Sequence, residues 1–240
     1  AIVLSSNLAL PAQAQDWSYD LTSYLWFPKS ETAVDTPRGT ATTELSAGDA
    51  LDNLDAGLML SATARNGKWS LIGDLLYMDV DGDAPTPFGV AFSKVEGSTK
   101  LLSGSAYGLY RVAETPDYAL DLGIGLRAMR SELVLDFLPG ALPSETVKVT
   151  DSWVDPLIGL RYTATLADRW TANLALDYGG FGIGSASDKT WQAVGTVGYH
   201  LNERWTLVGG YRHLKVERES DGVPYELKMS GPMLGATMRF

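Results

Sequence analysis

The sequence predicts an all-β fold: a single closed, antiparallel, up-and-down transmembrane β-barrel of about ten strands. Three observations support this prediction. The last strand alternates with period two, a turn–Trp–strand–Tyr pattern recurs along the chain, and the connections alternate between short and long. A strand with lipid on one side and a lumen on the other needs such alternation over about ten residues.

Composition agrees with a barrel and excludes several other classes. The chain has 240 residues, 2 His, no Cys and a formal net charge of −10. Its length suits one all-β domain, and the lack of Cys excludes disulfides, thiolate metal sites and thiol nucleophiles. The acidic balance argues against nucleic-acid binding, which needs a basic surface. No apolar run reaches the roughly 18 residues of a transmembrane helix, as expected when half of each strand faces a polar interior.

Residues 1–14 are expected to be the remnant of a secretory signal peptide, which leaves residues 15–240 as the barrel domain. This stretch is apolar and ends in Ala12-Gln13-Ala14, a pattern typical of signal cleavage sites. The alternative for this stretch is a short apolar strand.

The last stretch, Leu227 to Phe240, sets the orientation of all other strands. Every second residue back from Phe240 is mainly apolar, whereas the intervening positions are mainly small or polar and include Arg239. Phe240 therefore marks the lipid face and Arg239 the lumen. We expect the first strand to close the barrel antiparallel to this one, with Asp20 beside Arg239.

Three tight polar turns are each followed by a Trp and then by a strand that ends near a Tyr. The three strands begin at Trp69, Trp170 and Trp205. Asn66-Gly67 is a strong hairpin signal. Aromatic residues at both ends of an apolar strand face are typical of the two girdles of a membrane barrel. The residues predicted at the membrane interfaces are Trp17, Trp69, Tyr77, Tyr118, Trp170, Tyr178, Trp191, Tyr199, Trp205, Tyr211 and Phe240.

Ten strands are predicted, at about residues 16–27, 55–65, 69–80, 100–112, 118–130, 153–165, 170–179, 190–200, 205–216 and 227–240. The short connections would be periplasmic turns and the long ones extracellular loops. Eight and twelve strands are the alternatives. Twelve would require crossings at about 29–36 and 39–45, which are too short and too charged to span.

Residues 28–54 are predicted to form a loop with one short helix, lying over the barrel mouth or inside the lumen as a plug. Residues 40–45 are strand-like, and Ser46-Ala47-Gly48-Asp49 begins like a capping box.

The strand faces opposite the apolar ones carry Arg and Asp in their middles, but neither Lys nor Glu. Arg and Asp favour enclosed, bidentate ion pairs, whereas a solvated face usually carries Lys and Glu. We therefore expect two layers of ion pairs across the lumen. The lower, periplasmic layer comprises Asp20, Arg65, Arg111, Asp121 and Arg239. The middle layer comprises Asp74, Arg127, Arg161, Asp177 and Arg212.

No catalytic, cofactor or metal site is predicted. His200 is expected at the periplasmic rim, and His213 should point toward lipid headgroups, so no Ser–His–acid set shares a strand face. Asp79 to Asp83 lacks EF-hand spacing. With Glu217, Glu219, Asp221 and Glu226 it predicts an acidic outer rim. Divalent cations bridging this rim to lipopolysaccharide phosphates are a further hypothesis.

The segments Tyr24-Leu25-Trp26, Leu51-Asp52-Asn53-Leu54-Asp55 and Gly231-Pro232-Met233-Leu234-Gly235, with the terminal Phe, resemble a family of small, largely uncharacterised proteobacterial outer-membrane β-barrel proteins. The resemblance implies an outer-membrane location after export with a cleaved signal peptide, and contacts with outer-membrane lipids and lipopolysaccharide. It also implies insertion by the barrel assembly machinery, which reads the terminal aromatic. It carries no catalytic motif and does not fix the oligomeric state.

The favoured function is a structural barrel or a narrow, porin-like passive channel for small solutes. The alternative is a surface-interaction barrel whose acidic loops bind ions, lipopolysaccharide or a host partner. A lipid-modifying enzyme is disfavoured, because the strand faces bring no catalytic set together.

Overall fold

The computed structural model describes residues 17–36, 39–45, 48, 54–84, 92–140, 142–220 and 223–240. Its strands are β1 (Ser18–Trp26), β2 (Lys29–Thr36), β3 (Gly39–Leu45), β4 (Leu54–Asn66), β5 (Trp69–Ala84), β6 (Phe92–Glu114), β7 (Tyr118–Pro139), β8 (Glu145–Ala167), β9 (Trp170–Gly180), β10 (Lys189–His200), β11 (Trp205–Ser220) and β12 (Val223–Arg239). All are joined in one sheet of antiparallel pairs. The described residues contain no helix long and apolar enough to cross a membrane.

The sheet closes into a barrel because β1 pairs antiparallel with β12, placing Asp20 opposite Arg239. This confirms the predicted closure. Tight turns connect β4–β5, β6–β7, β8–β9 and β10–β11 at one end, which we call the short-turn end and which is the predicted periplasmic side. We call the opposite end the tall end.

β2 and β3 extend the barrel wall toward the tall end without adding strands to the circumference of the barrel. β12 pairs with β1 through residues 233–239 and with β2 through residues 225–230, so β1 and β2 lie on the same side of β12. On their other side, β1 pairs with β4 and β2 pairs with β3. Among the described residues, ten strands therefore circle the barrel, as predicted. Residues 28–54 were predicted to form a loop with one short helix over the mouth or in the lumen, but residues 29–36 and 39–45 are instead the wall strands β2 and β3. The helix expected from residue 46 falls, apart from Gly48 and Leu54, outside the described residues.

Phe27 and Pro28 separate β1 from β2, and their contact with β12 requires a glycine at position 231. Here the Phe27 N–H donates to the Pro232 carbonyl at 3.0 Å, and the Trp26 indole N–H donates to the Gly231 carbonyl at 3.2 Å. A Cβ on Gly231 would lie 1.9 Å from the Phe27 carbonyl oxygen, so only glycine allows this close approach.

The strands reach much further at the tall end than the sequence predicted. β6, β7 and β8 contain 23, 22 and 23 residues, about twice the 9–11 that span a bilayer. Most described residues of the predicted loops 81–99, 131–152 and 217–226 are strand. Cross-strand contacts such as Lys148 Nζ to Glu132 Oε1 at 2.8 Å support these extensions. Alternation did not reveal them, because a strand outside the bilayer has no face that must be apolar.

The barrel exterior is an apolar belt edged by aromatic rings. Its lipid-facing side chains include Leu122, Ile124 and Leu126 of β7, all exposed at the surface. At the short-turn end, neighbouring strands pair Trp69 with Tyr110 and Trp170 with Tyr199, with ring centroids 4.9 and 4.8 Å apart. Apolar bands with aromatic girdles are the surface that a bilayer-spanning barrel presents.

Candidate functional site: the filled lumen

The lumen is the part of the molecule in which polar and titratable side chains converge. Strand alternation turns one side of every strand inward, and the described inward side chains occupy three levels. From the short-turn end upward, we call them the lower layer, the middle layer and the upper apolar cluster.

The lower layer contains two groups of ion pairs near the short-turn end. Arg239 Nε lies 2.8 Å from Asp20 Oδ1 across the closing strand pair. On the neighbouring wall, Arg111 Nε lies 2.8 Å from Asp121 Oδ1, and Arg65 Nη2 lies 3.6 Å from Asp121 Oδ2. The structure thus brings the five predicted residues of this layer to one level.

Glu114 joins the lower layer although the sequence analysis did not include it. Its Oε1 lies 2.6 Å from Arg111 Nη1, and its side chain is exposed at the rim. It was missed because it ends β6, where a register shift between Arg111 and Ala113 interrupts the alternation.

The first ion pair of the middle layer joins Arg127 to Asp177. Arg127 has no exposed surface, and its Nη2 donates to both carboxylate oxygens of Asp177 at 2.9 and 2.8 Å. Arg127 also donates to the hydroxyls of Ser105, Thr190 and Tyr107. A buried guanidinium is tolerated only with such complete pairing.

The second ion pair joins Arg212 to Asp74, with Nη2 and Oδ1 3.1 Å apart. The Tyr24 hydroxyl links them further, since it accepts from Arg212 Nη1 at 2.7 Å and donates to Asp74 Oδ2 at 2.8 Å. Gln192 connects the two pairs: its Oε1 accepts from Arg212 Nε at 2.8 Å, and its Nε2 donates to Asp177 Oδ2 at 3.0 Å. The middle layer is therefore one continuous network.

Arg161 departs from the prediction that it joins a middle-layer ion pair. It aligns with Asp121, a lower-layer residue, across the β7–β8 pair. Among the described residues no carboxylate lies within ion-pair distance of its guanidinium, and Nη1 makes only a long contact of 3.5 Å to the Thr63 hydroxyl. The reason is competition, because Asp121 is already held by Arg111 and Arg65.

Above the middle layer, most of the described buried side chains that face the lumen are apolar. The upper apolar cluster comprises Tyr24, Trp26, Met59, Leu76, Met78, Val80, Leu101, Met129, Trp153, Leu214, Val216, Leu227, Met229 and Met233, all buried. Five of the six methionines of the chain lie in it. Unbranched, flexible Met side chains fill irregular gaps between strands. The described part of this half of the lumen is filled like the core of a soluble protein.

A group of polar contacts joins neighbouring strands toward the tall end, and the sequence analysis did not predict it. Asp155 has no exposed surface; its Oδ1 accepts from the Ser187 N–H at 2.7 Å, and its Oδ2 accepts from the Trp153 indole at 3.0 Å. Counting back in twos from Arg161 would have placed Asp155 and Trp153 in the lumen. The position of both side chains is therefore predictable from the alternation of β8.

Arg218 completes this group of polar contacts and bridges β11 to β8. Its Nε lies 3.0 Å from Asp151 Oδ2, its Nη1 donates to the Ser185 carbonyl at 2.7 Å, and its guanidinium lies 4.6 Å from the Trp153 ring centroid. β9 pairs with β8 only from Leu157 onward, so this bridge joins the walls above the short β9–β10 hairpin.

A cavity of about 200 Å³ remains between the middle and lower layers. Its lining includes Arg161, Thr22, Asn173, Thr196 and Thr237. Asp74, Asp177 and Arg212 line it on the middle-layer side, and Tyr24 and Met233 of the upper apolar cluster also contact it.

The predicted interface aromatics lie on the outer surface. Trp17, Trp69, Tyr118, Trp170, Tyr178, Trp205, Tyr211 and Phe240 are exposed, and Tyr77, Trp191 and Tyr199 are partly exposed. Tyr19, Tyr110 and Tyr162 join the short-turn girdle, but the sequence analysis did not name them.

The two histidines take part in local contacts. His213 stacks on Trp191 with ring centroids 4.4 Å apart, and His200 Nδ1 lies 2.8 Å from the Thr206 hydroxyl. Within the described ranges, no cluster of three or more His, Asp or Glu side chains has the arrangement of a metal site.

Two acids of the predicted acidic rim are strand residues with partners. Lys215 Nζ lies 2.5 Å from Glu217 Oε1 and 2.8 Å from Glu226 Oε2. These two carboxylates are therefore neutralised rather than free on a loop.

Comparison with known proteins supports the fold. No protein-family model matches the chain, and no curated protein matches it. Among solved structures, the outer-membrane protease OmpT from Escherichia coli is similar, with a TM-score of 0.63 at 10% identity over 95% of this chain and 98% of that chain.

Two further structures are similar at lower TM-scores. They are Ail, the attachment invasion locus protein of Yersinia pestis (15% identity, TM-score 0.40, 93% of this chain and 98% of that chain), and the translocator domain of the autotransporter NalP from Neisseria meningitidis (12% identity, TM-score 0.41, 95% and 90%). At such identities the likeness concerns the fold alone. The chain folds as a closed, ten-strand, antiparallel barrel of the Gram-negative outer-membrane type.

Proposed function

We propose that this protein is a structural barrel of the bacterial outer membrane whose lumen is closed, and that it presents its tall strands at the cell surface. The observation that carries the proposal is the filled lumen. A continuous middle layer and a packed apolar cluster occupy the described interior from mid-height up to the level of Val80, Met129 and Val216.

A narrow passive channel is less compatible with this geometry than the structural role. A conducting pore needs a continuous polar path. Here Leu76, Leu214, Val216 and Arg127 all have no exposed surface, so the described side chains leave no such path at their level. A barrel of about eight strands is just wide enough for side chains to fill, and in this ten-strand barrel large side chains such as Trp26, Trp153 and Met129 fill the described upper lumen.

Single-channel recording in a planar bilayer tests the closed lumen. We expect the reconstituted wild-type protein to give no stable conductance steps. A variant that combines Arg127→Ser and Arg212→Ser with Leu76→Gly and Leu214→Gly should conduct, because it removes buried side chains from both the middle layer and the upper apolar cluster. Steady ohmic steps from the wild type would instead support the narrow channel.

A second candidate, surface interaction, is favoured by the tall β7–β8 hairpin. This hairpin pairs as far as Phe137 and Glu145, and cross-strand contacts such as Thr146 Oγ1 to Asp136 Oδ1 at 2.6 Å order it. Its partners would be lipopolysaccharide, divalent cations or a host surface. Shortening the hairpin by removing residues 133–148 should abolish binding of cells or lipopolysaccharide and leave the barrel folded. Unchanged binding would remove this candidate.

A further inference from the structure

The lower lumen contains one more positive charge than its own carboxylates neutralise. Among the described side chains there, four arginines (Arg65, Arg111, Arg161 and Arg239) face three carboxylates (Asp20, Glu114 and Asp121). The middle layer has Arg127 and Arg212 against Asp177 and Asp74, and the buried carboxylate of Asp155, aligned with Arg127 across β7–β8, adds one more negative charge. Among the described side chains, the excess positive charge therefore lies below the middle layer.

Arg161 carries this excess. Asp121, its register partner, is only 2% exposed and is shared by Arg111 and Arg65. Asp20 is held by Arg239 at 2.8 Å. With the part of the chain that the structure describes, Arg161 makes one hydrogen bond, to Thr63, and it is 3.5 Å long. An enclosed guanidinium without a partner is costly, so the site favours an anion that would complete it.

The cavity supplies the space for such an anion. Arg161 lines the 200 Å³ cavity together with neutral donors, including the Thr196 hydroxyl and the Asn173 amide. The two carboxylates in the lining, Asp74 and Asp177, are each paired with a middle-layer arginine, whereas Arg161 has no such pair among the described residues. Its hydrophobic walls, such as Ile72 and Leu109, strengthen charge–charge attraction by excluding water. A planar guanidinium binds a carboxylate or phosphate through two parallel hydrogen bonds.

The two ends of the lumen differ in how closed they are, and this difference determines where a small anion could enter. Toward the tall end, the middle layer and the upper apolar cluster close the described interior. Toward the short-turn end, the lower layer is partly open, since the side chains of Arg239 and Arg65 are 60% and 34% exposed. A small solute would therefore enter between lower-layer side chains.

We propose that the cavity is a binding site for one small oxyanion, a phosphate or carboxylate group, held by Arg161 and reached from the short-turn end. The site does not depend on conductance: a closed barrel would bind the anion from one side, and an open one would pass it.

Binding of inorganic phosphate to the detergent-solubilised wild-type barrel tests this site. Isothermal titration at constant ionic strength should give one phosphate per barrel, and phosphate should raise the thermal unfolding temperature more than chloride does. Arg161→Gln should weaken binding at least tenfold and abolish the extra thermal shift. Arg130→Gln, which changes an exposed arginine on the outer face, should leave both unchanged.

A second variant distinguishes a loss of phosphate binding from a loss of folding. Arg161→Lys retains the charge but loses the paired donors, so it should bind phosphate more weakly than wild type and more tightly than Arg161→Gln. Absence of phosphate binding to the wild type, or equal binding by wild type and Arg161→Gln, would overturn the proposal. Channel recordings test the closed lumen independently. Failure of the phosphate-binding proposal can therefore be distinguished from failure of the closed-lumen proposal.

Discussion

The two halves of the lumen are filled by different chemistry. The half toward the short-turn end is polar, depends on Arg–Asp pairs and retains a cavity beside Arg161. Toward the tall end, the described side chains form the packed upper apolar cluster, with Leu76, Leu214 and Val216 fully buried, beside the buried contact of Asp155 with Ser187. A polar side chain in the lumen needs a specific hydrogen-bonding or charged partner, whereas an apolar side chain needs only neighbours of matching volume. The comparison predicts different responses to substitution in each half and at their boundary.

The largest effect is expected at the boundary, from Arg127→Ala. This change leaves the Asp177 carboxylate buried without its cation, although Tyr107 and Gln192 still donate to it. Breaking a buried pair in this way costs roughly 3–5 kcal/mol. Urea unfolding in lipid vesicles, followed by tryptophan fluorescence, measures the loss.

Arg130→Ala is the matched control for Arg127→Ala, because it removes the same side chain three residues along β7 at an exposed position. We expect it to cost less than about 1 kcal/mol. Equal losses from the two variants would mean that the middle layer contributes no more than an ordinary surface pair.

In the upper apolar cluster, Leu214→Ala should cost about 2–5 kcal/mol through the cavity it creates. Leu214 has no exposed surface, whereas Leu122 on the lipid face is 41% exposed. Leu122→Ala should cost less, because lipid chains fill the space left by the side chain. The same unfolding assay compares them, and a larger loss from Leu122→Ala would contradict the packed upper half.

A smaller effect is expected from Arg218→Ala at the tall end. It removes the bridge to Asp151 and the contact with Trp153, together about 1–3 kcal/mol. Its clearest signature should be local: backbone amides of residues 180–189 should exchange hydrogen faster, because Arg218 also holds the Ser185 carbonyl. Unchanged exchange there would show that the bridge does not fix this hairpin.

The smallest effect is expected from Lys148→Met on the exposed β7–β8 extension. The hydrogen bond from Lys148 lowers the pKa of Glu132 below its ordinary value. The pair therefore stabilises the fold above the ordinary glutamate pKa, and its contribution is lost as pH falls through the lowered one. Wild type and Lys148→Met should differ slightly at neutral pH and become equal in acid. A difference that grows in acid would contradict this assignment.

The sequence was most informative where the bilayer constrains the strands. Alternation predicted ten crossings, the β1–β12 closure and the inward position of Arg127, because each crossing strand must separate lipid from lumen. It did not reveal the length of β6 to β8 above the belt, where that requirement ends.

The sequence could not predict which arginine pairs with which carboxylate inside the lumen. Arg161 and Asp121 share a level, yet Asp121 binds Arg111 and Arg65. Which arginine obtains a shared carboxylate depends on side-chain reach across several strands, and strand alternation does not contain that information. Asp155 was predictable in principle, since it lies on the same face of β8 as Arg161.

The most direct test of the contrast between the two halves is cysteine labelling, because the chain contains no Cys. Thr196→Cys places a thiol in the lower cavity, and Met129→Cys places one in the upper apolar cluster. A membrane-impermeant maleimide should label position 196 only when it reaches the short-turn end, and should not label position 129 from either side. Labelling at position 129, or at position 196 from the tall end, would contradict a lumen closed by its upper half.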